Sequence, residues 1–186
     1  MKPSTSWGAP CTSASEPELT MAYLLDANVF IDAKNRYYGF DICPGFWDWL
    51  MQEHLAGRAF SVRQVGDELL AGADTLANWA QERGDHFFLP PDAATLAAMG
   101  RVAQWATMQG GYTPGALNTF LQAADFYLVA HALARGDTVV THEVPRASVH
   151  RVMIPSVCVG LQVPYINPFQ MLNRERARFV LPGAGA

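Results

Sequence analysis

The chain has 186 residues, of which half are apolar and 16% are charged, and its formal net charge is −4. This length and composition allow one substantial core, so they exclude a disordered protein and favour a single domain. The negative charge excludes a protein that coats nucleic acid through a generally basic surface, so any contact with nucleic acid must be local.

Cysteine usage and the ends of the chain predict its setting. Cys11, Cys43 and Cys158 are odd in number and form no C-x-x-C pair, which argues against a disulfide framework or a cysteine zinc site. The sequence has neither a signal-peptide core nor an apolar run of about 18 residues, so a cytoplasmic protein is expected. We interpret 1–20 as a flexible tail or a mis-assigned start before Met21, 21–175 as the domain and 176–186 as a frayed C-terminal tail.

Strand and helix signals alternate along the chain. In chain order the predicted elements are a strand at 22–25, a helix from 29–34, a helix at 46–55, a strand at 59–62, helices at 65–71 and 74–82, an apolar run at 87–89, helices at 92–108 and 119–135, and strands at 138–141 and 152–154. Asp74 and Asp92 are predicted helix N-caps. The alternation predicts an α/β fold, a three-layer α/β/α sandwich around a central parallel sheet.

Acidic residues follow several of the predicted strands. Asp26 follows the first strand, Glu68 lies in the helix after the second, and Glu143 follows the strand at 138–141. Ligands of open parallel sheets bind outside the carboxyl ends of the strands, so all three side chains are expected at one edge. Taken singly, each has an ordinary alternative as a helix cap or a solvated surface charge.

Asp125 is the most informative single residue, because it lies in the apolar helix predicted at 119–135. A buried carboxylate without a partner costs several kcal/mol, which a metal ion or a hydrogen-bond network can offset. The structural alternative is a polar neighbour such as Gln122 or a helix end. Carboxylates without Cys or His partners suit Mg²⁺ or Mn²⁺, and such ions support phosphodiester hydrolysis.

Four stretches together resemble the PIN-domain family, over about 21–173: LLDANVF at 24–30, VGDEL at 65–69, ADFYLVA at 124–130 and TVVTHE at 138–143. The similarity is to a bacterial subfamily of PIN-like proteins of unknown function, related to the toxin ribonucleases of VapBC-type toxin-antitoxin systems. The resemblance implies Mg²⁺- or Mn²⁺-dependent cleavage of single-stranded RNA. The metal-binding and catalytic residues it implies are Asp26, Glu68, Asp125 and Glu143.

The resemblance also implies supporting residues and partners. Thr141 matches the polar residue at the end of the fourth strand, and Asn28 matches one that orients the first Asp. Glu68 is favoured over Asp67 because Glu-Leu follows the family pattern, whereas Asp32 and Asp41 have no matching role and are interpreted as surface charges. The expected partners are an RNA substrate, an antitoxin protein and a second copy of the chain, with no membrane.

A basic and aromatic group near Asp26 is a candidate RNA contact: Lys34, Arg36, Tyr37 and Tyr38. Cations there would hold phosphate while the rings stack on unpaired bases. The alternative is aromatic packing beneath a loop with two solvated cations.

Other functions stay open at this point. A haloacid-dehalogenase-like phosphatase also carries an Asp after its first strand, but its second acidic position is Asn28 here and its downstream Lys is missing. A DNA-directed nuclease of the same fold needs helical insertions that this length hardly accommodates. A catalytically silent PIN-like module would bind a partner whose Arg enters the acidic pocket.

Overall fold

The structure is a computed structural model, and it describes residues 21–180. The predicted N-terminal tail at 1–20 and the end of the chain at 181–186 lie outside the described residues. The strands are β1 (Tyr23–Leu25), β2 (Ala59–Val62), β3 (Phe88–Leu89), β4 (Thr138–Val140) and β5 (Tyr165–Ile166). The α-helices are α1 (Ala27–Asp32), α2 (Pro44–Leu55), α3 (Arg63–Leu70), α4 (Thr75–Phe87), α5 (Ala93–Met108), α6 (Pro114–Gln122), α7 (Ala124–Arg135), α8 (Ile154–Leu161) and α9 (Pro168–Arg174), and a π-helical turn (Ala33–Tyr37) continues α1.

The five strands form one parallel sheet in the order β3-β2-β1-β4-β5. Its central strands are mainly apolar, and Leu24, Leu25, Val139 and Val140 are fully buried. Buried, mainly apolar strands are typical of parallel sheets that helices cover on both faces. The predicted three-layer α/β/α sandwich is therefore confirmed.

The strand order reverses direction at β1, which has β2 on one side and β4 on the other. A crevice opens at the carboxyl ends of the strands at such a switch point. The backbone pairs Leu25 with Val140, so the next residues, Asp26 and Thr141, leave the sheet side by side. The fold thus brings the ends of β1 and β4 to the usual ligand-binding position of an open α/β sheet.

The strand predicted at 152–154 is wrong. Ile154 instead begins helix α8, with Pro155 in its first turn, and the fifth strand is β5, further along the chain. A run of three β-branched or long apolar residues suits a strand and a buried helix start equally well. Proline decides between them, because its fixed φ and missing N–H favour the first turn of a helix.

The single helix predicted at 119–135 is also wrong. The backbone is extended at Ala123, with ψ of 157°, so α6 ends at Gln122 and α7 begins at Ala124. Asp125 therefore lies in the first turn of α7 and not in the middle of a long buried helix. The expected C-terminal end is confirmed, since Gly136 is left-handed with φ of 75°.

Other local predictions agree with the structure. Asp74 accepts hydrogen bonds from the backbone at the start of α4, and Asp92 does so at the start of α5. The frayed tail expected at 176–186 is different: within it, Phe179 packs on the rings of Tyr38, Phe46 and Trp49, so packed residues extend beyond 175. In residues 21–180 no helix is both long and apolar enough to cross a membrane.

Candidate active site

Asp26 is the buried centre of the acidic edge. Its side chain lies at the junction of β1 and α1, and the residue is only 2% exposed. Thr141 donates a 2.8 Å hydrogen bond to Asp26 Oδ2, and Asn28 donates to the same oxygen at 3.4 Å. Burial raises the pKa of Asp26, and the bonds from Thr141 and Asn28 oppose that rise. The structure therefore brings together Asp26 and the two polar residues predicted to support it.

Asp125 lies beside this centre in the first turn of α7, where the helix dipole favours a negative charge. Desolvation nevertheless raises the pKa of Asp125 to about 7, and the negative charges of Asp26, Glu143 and Glu68 contribute to the rise, in that order. Arg151 acts in the opposite direction. Asp125 is thus within electrostatic reach of the other three predicted acids.

Glu68 reaches the same centre from α3. Its pKa is raised by desolvation and then by the charge of Asp26, while the backbone N–H of Ala124 lowers it. Ala123 gives α7 no side-chain cap, so the Glu68 carboxylate supplies an acceptor there from another helix. Gly66 fixes the position of α3, because a Cβ at this residue would lie 2.9 Å from Cγ of Phe88.

Glu143 differs from the other acids because both of its oxygens have partners within the chain. Oε2 accepts a 2.8 Å hydrogen bond from the backbone N–H of Ile154 at the start of α8, and Oε1 accepts one from Arg151. The Glu143 side chain is 8% exposed, whereas that of Arg151 is 61% exposed. Burial raises the pKa of Glu143, and the Ile154 and Arg151 contacts oppose that rise. Glu143 therefore caps a helix, which competes with its predicted role as a metal ligand.

The four acids form one electrostatic cluster but not one coordination sphere. Across 21–180, no group of three or more His, Cys, Asp or Glu side chains is arranged so that it could hold a metal ion directly. The two observations differ because charges interact over many ångströms, whereas Mg²⁺ needs its ligand oxygens at about 2.1 Å. Because Mg²⁺ keeps several of its waters, it can be bound by acids that lie near one another, even where their oxygens do not all contact the ion directly.

The predicted basic contacts, Lys34 and Arg36, pair with acids other than the four of this cluster. Lys34 forms an ion pair with Asp74, and Arg36 pairs with Asp32 on the surface at 3.3 Å. Asp32 therefore has a structural partner, although the sequence indicated only a surface charge. Tyr38 stacks on Phe46 at 4.5 Å between ring centroids, which agrees with the packing alternative for this ring.

Sequence reasoning missed the arginines of the loop between β4 and α8. A cleft of about 300 Å³ contains Asp125, Thr119 and Arg151, and a second cleft of about 250 Å³ contains Glu143, Asn28 and Arg151. Arg151 lines both clefts, and Arg146 lines the second, so both cations lie beside the acids. The sequence feature that could have indicated them is the segment at 142–152, which has two arginines and two histidines and directly follows Thr141.

The chain is thus a three-layer α/β/α protein whose carboxylates gather at the switch point of a parallel sheet. The chain belongs to the family described as "Domain of unknown function (DUF4411)", whose profile matches residues 23–179. The fold is similar to a chain in the crystal structure of VapBC2 from Rickettsia felis bound to a DNA fragment from their promoter, with a TM-score of 0.50 and 16% identity over 79% of this chain and 98% of that one. No curated protein matches the sequence.

Proposed function

We propose that the protein is a metal-dependent endoribonuclease that hydrolyses phosphodiester bonds in single-stranded RNA, as the toxin of a toxin-antitoxin pair. One observation carries the proposal: carboxylates from separate segments lie close enough at the switch point of the sheet that the charge of Asp26 raises the pKa of Glu68, Asp125 and Glu143. A fold does not by itself determine activity. The support for the proposal is this arrangement of charge, together with the resemblance of the four sequence motifs to an RNA-cleaving family.

A divalent cation fits the charge of the site. Asp26, Glu68 and Asp125 have no ion-pair partner among the described residues, and their mutual repulsion is the electrostatic environment that a bound cation relieves. These three residues would hold Mg²⁺ or Mn²⁺, and Glu143 is less available as a fourth ligand because Arg151 and Ile154 already engage both of its oxygens. Such an ion supplies an acidified water and neutralises charge that develops on a phosphate.

The chain's own residues hold and balance the acids. Thr141 and Asn28 fix one oxygen of Asp26, and both bonds favour the charged carboxylate that a cation requires. Arg151 lies where two clefts meet and is the exposed cation best placed to contact a phosphate. Its guanidinium suits the two oxygens of a phosphodiester.

Cleavage of a labelled single-stranded RNA by the purified full chain tests the catalytic proposal. We expect cleavage with added Mg²⁺ or Mn²⁺ and none in chelator. Asp125→Asn should abolish cleavage, because it removes ligand charge at nearly constant volume. Asp67→Asn is the matched control, since Asp67 is exposed on α3 next to Glu68. Cleavage that is equal in both variants would place the chemistry elsewhere.

The toxin role makes a separate prediction in living cells. Induced expression of the unaltered chain should arrest growth, whereas Asp125→Asn should not. Coexpression of a short protein encoded next to this gene should restore growth if that protein is the antitoxin. The proposal includes a cytoplasmic site of action. It also includes a homodimer, which light scattering of the purified chain would detect.

A catalytically silent PIN-like binding module is the second candidate. The engaged Glu143 and the absence of a direct metal-binding group within 21–180 favour it. In that case an arginine of a partner protein would occupy the acidic cluster, because guanidinium pairs well with carboxylates. RNA that stays uncut with either metal, together with a partner whose binding depends on Asp125, would decide for this function.

A further inference from the structure

Three aromatic side chains from separate segments meet beside the second cleft, which His142 lines: Tyr37, His142 and Phe169. Tyr37 ends the π-helical turn, His142 follows Thr141 after β4, and Phe169 lies in the first turn of α9. Their ring centroids are 5.8 Å apart for Tyr37 and His142, 5.3 Å for Tyr37 and Phe169, and 6.0 Å for His142 and Phe169. We call these three residues the aromatic rim.

The aromatic rim is unlike the buried aromatic residues below it. Tyr37 is 44% exposed and Phe169 is 42% exposed, whereas Phe46 beneath them is 1% exposed. The space enclosed between the rim and the core is about 10 Å³, which is room for one water at most. A ligand would therefore stack on the outside of the rim, and it would not insert below it.

The rim is continuous with the acidic clefts. His142 lines both the space under the rim and the cleft that contains Glu143 and Asn28. Arg151 lines that cleft and also the one that contains Asp125. Shared residues therefore connect Asp125, Arg151 and the rim along one side of the molecule, and Arg146 adds a second cation in the middle.

We propose that the aromatic rim stacks one unpaired nucleobase of a single-stranded RNA whose backbone passes Arg146 and Arg151. This inference rests on the proposed RNA substrate. Rings that are exposed, held by one another and flanked by arginines suit a base with its phosphates, because every base has a π-face and every linkage a negative charge. A purely apolar partner would not use the arginines between the rim and the acids.

Binding of a short fluorescein-labelled single-stranded RNA to the full chain tests the inference. All proteins carry Asp125→Asn, so bound RNA is not cut. We expect Tyr37→Ala and Phe169→Ala to weaken binding by roughly five- to a hundredfold each, the range observed for loss of base stacking. Tyr37→Phe should retain the affinity, because it keeps the ring. Val159→Ala is the matched control, since Val159 is 66% exposed and lies outside the clefts.

A fluorescent adenine analogue in the RNA reports stacking itself. We expect the protein to quench the emission of the analogue wherever position 37 keeps an aromatic ring. The unaltered rim and Tyr37→Phe should therefore show equal quenching, whereas Tyr37→Ala should show clearly less. RNA that lacks the base at the position of the analogue should bind the unaltered rim as weakly as complete RNA binds the Tyr37→Ala variant.

Three outcomes would overturn the inference. The first is unchanged RNA affinity in both alanine variants. The second is an equal loss in Tyr37→Ala and Tyr37→Phe together with a lower melting temperature, which would show a role in folding only. The third is altered self-association without altered RNA binding, which would make the rim a protein interface. Because cleavage is not measured, a chain that binds RNA without cutting it would fail the proposed function and still pass this test.

Discussion

The Thr141 hydroxyl donates a 2.8 Å hydrogen bond to Asp26, although the two residues are 115 positions apart in the chain. The oxygen of that hydroxyl also accepts a 3.1 Å bond from the backbone N–H of Glu143. Thr141 is 1% exposed, so water does not replace either bond easily. One buried hydroxyl therefore connects the acid after β1 with the backbone of the acid after β4.

Thr141→Val should weaken both the fold and the site. The substitution keeps the shape but removes two hydrogen bonds, one of them to a charged group, so we expect a loss of about 1–3 kcal/mol in the free energy of unfolding. The pKa of Asp26 should rise further, because the bond from Thr141 opposes its rise. Denaturant unfolding measures the first effect, and a shift of the cleavage profile to higher pH measures the second.

Thr141→Ser is the matched control, because it keeps the hydroxyl and removes only a methyl group. It should retain the cleavage profile of the unaltered chain. Equal profiles for the serine and valine variants would show that the hydroxyl does not tune Asp26.

Asp125→Asn should stabilise the metal-free protein at high pH. The folded-state pKa of about 7 lies above the unfolded value of 3.8, so between these values the folded chain holds a proton that the unfolded chain has lost. The contribution of the Asp125 carboxyl to the free energy of unfolding is complete below the unfolded pKa, and it is lost as the pH rises through 7. Asn carries no charge, so the variant escapes that loss, which is on the order of 2–4 kcal/mol.

Melting temperatures in chelator at pH 5 and pH 8 measure this difference. The gain of Asp125→Asn over the unaltered chain should be larger at the higher pH, while Asp67→Asn should show no such change. A gain that is the same at both pH values would mean that Asp125 does not titrate in this range.

The same substitution at two positions distinguishes an acid without an ion-pair partner among the described residues, Glu68, from the acid that caps a helix, Glu143. Glu68→Gln should abolish metal-dependent cleavage, because it removes a charge that couples to Asp26. Glu143→Gln should retain a large part of the activity, because its oxygen can still accept from Ile154. Glu143→Ala should cost about 1 kcal/mol in stability through the lost cap. Single-turnover cleavage rates test the pair, and equal losses would make Glu143 a ligand after all.

The architecture and the edge that holds the acids could be predicted from the sequence, because short apolar runs and their alternation with helical segments are visible in it. The rule that parallel strands end at one edge applied to Asp26, Glu68 and Glu143, whereas Thr141 was implied by the family resemblance. The break at Ala123 could not be predicted, since its apolar neighbours suit a continuous helix. Because of that break, Asp125 lies in the first turn of α7, at a helix N-terminus.

The partners of charged side chains were the least predictable feature. Lys34 and Arg36 are close to Asp26 in sequence, yet their cations pair with Asp74 and Asp32. Arg151 is far from Asp26 in sequence, yet it lies next to the acids because the loop after β4 returns to the start of α8, where Glu143 caps the helix. The partners of long side chains depend on tertiary geometry, which periodicity does not record.

Gly66→Ala should damage the site without touching an acid. Gly66 packs α3 against Phe88, where an added Cβ would lie 2.9 Å from ring carbon Cγ, and Phe88 contacts the buried rings of Phe30, Trp79 and Phe87. Because that ring cannot move freely, α3 must shift, and Glu68 shifts with it. We expect a loss of about 1–3 kcal/mol in the free energy of unfolding and reduced cleavage.

Gly100→Ala is the control for Gly66→Ala. A Cβ at Gly100, in α5, would have nothing within 4 Å, so the substitution should stabilise the helix by up to about 1 kcal/mol and leave cleavage unchanged. Thermal unfolding and cleavage rates of the two variants, measured side by side, test whether the glycine at 66 positions the acid two residues later.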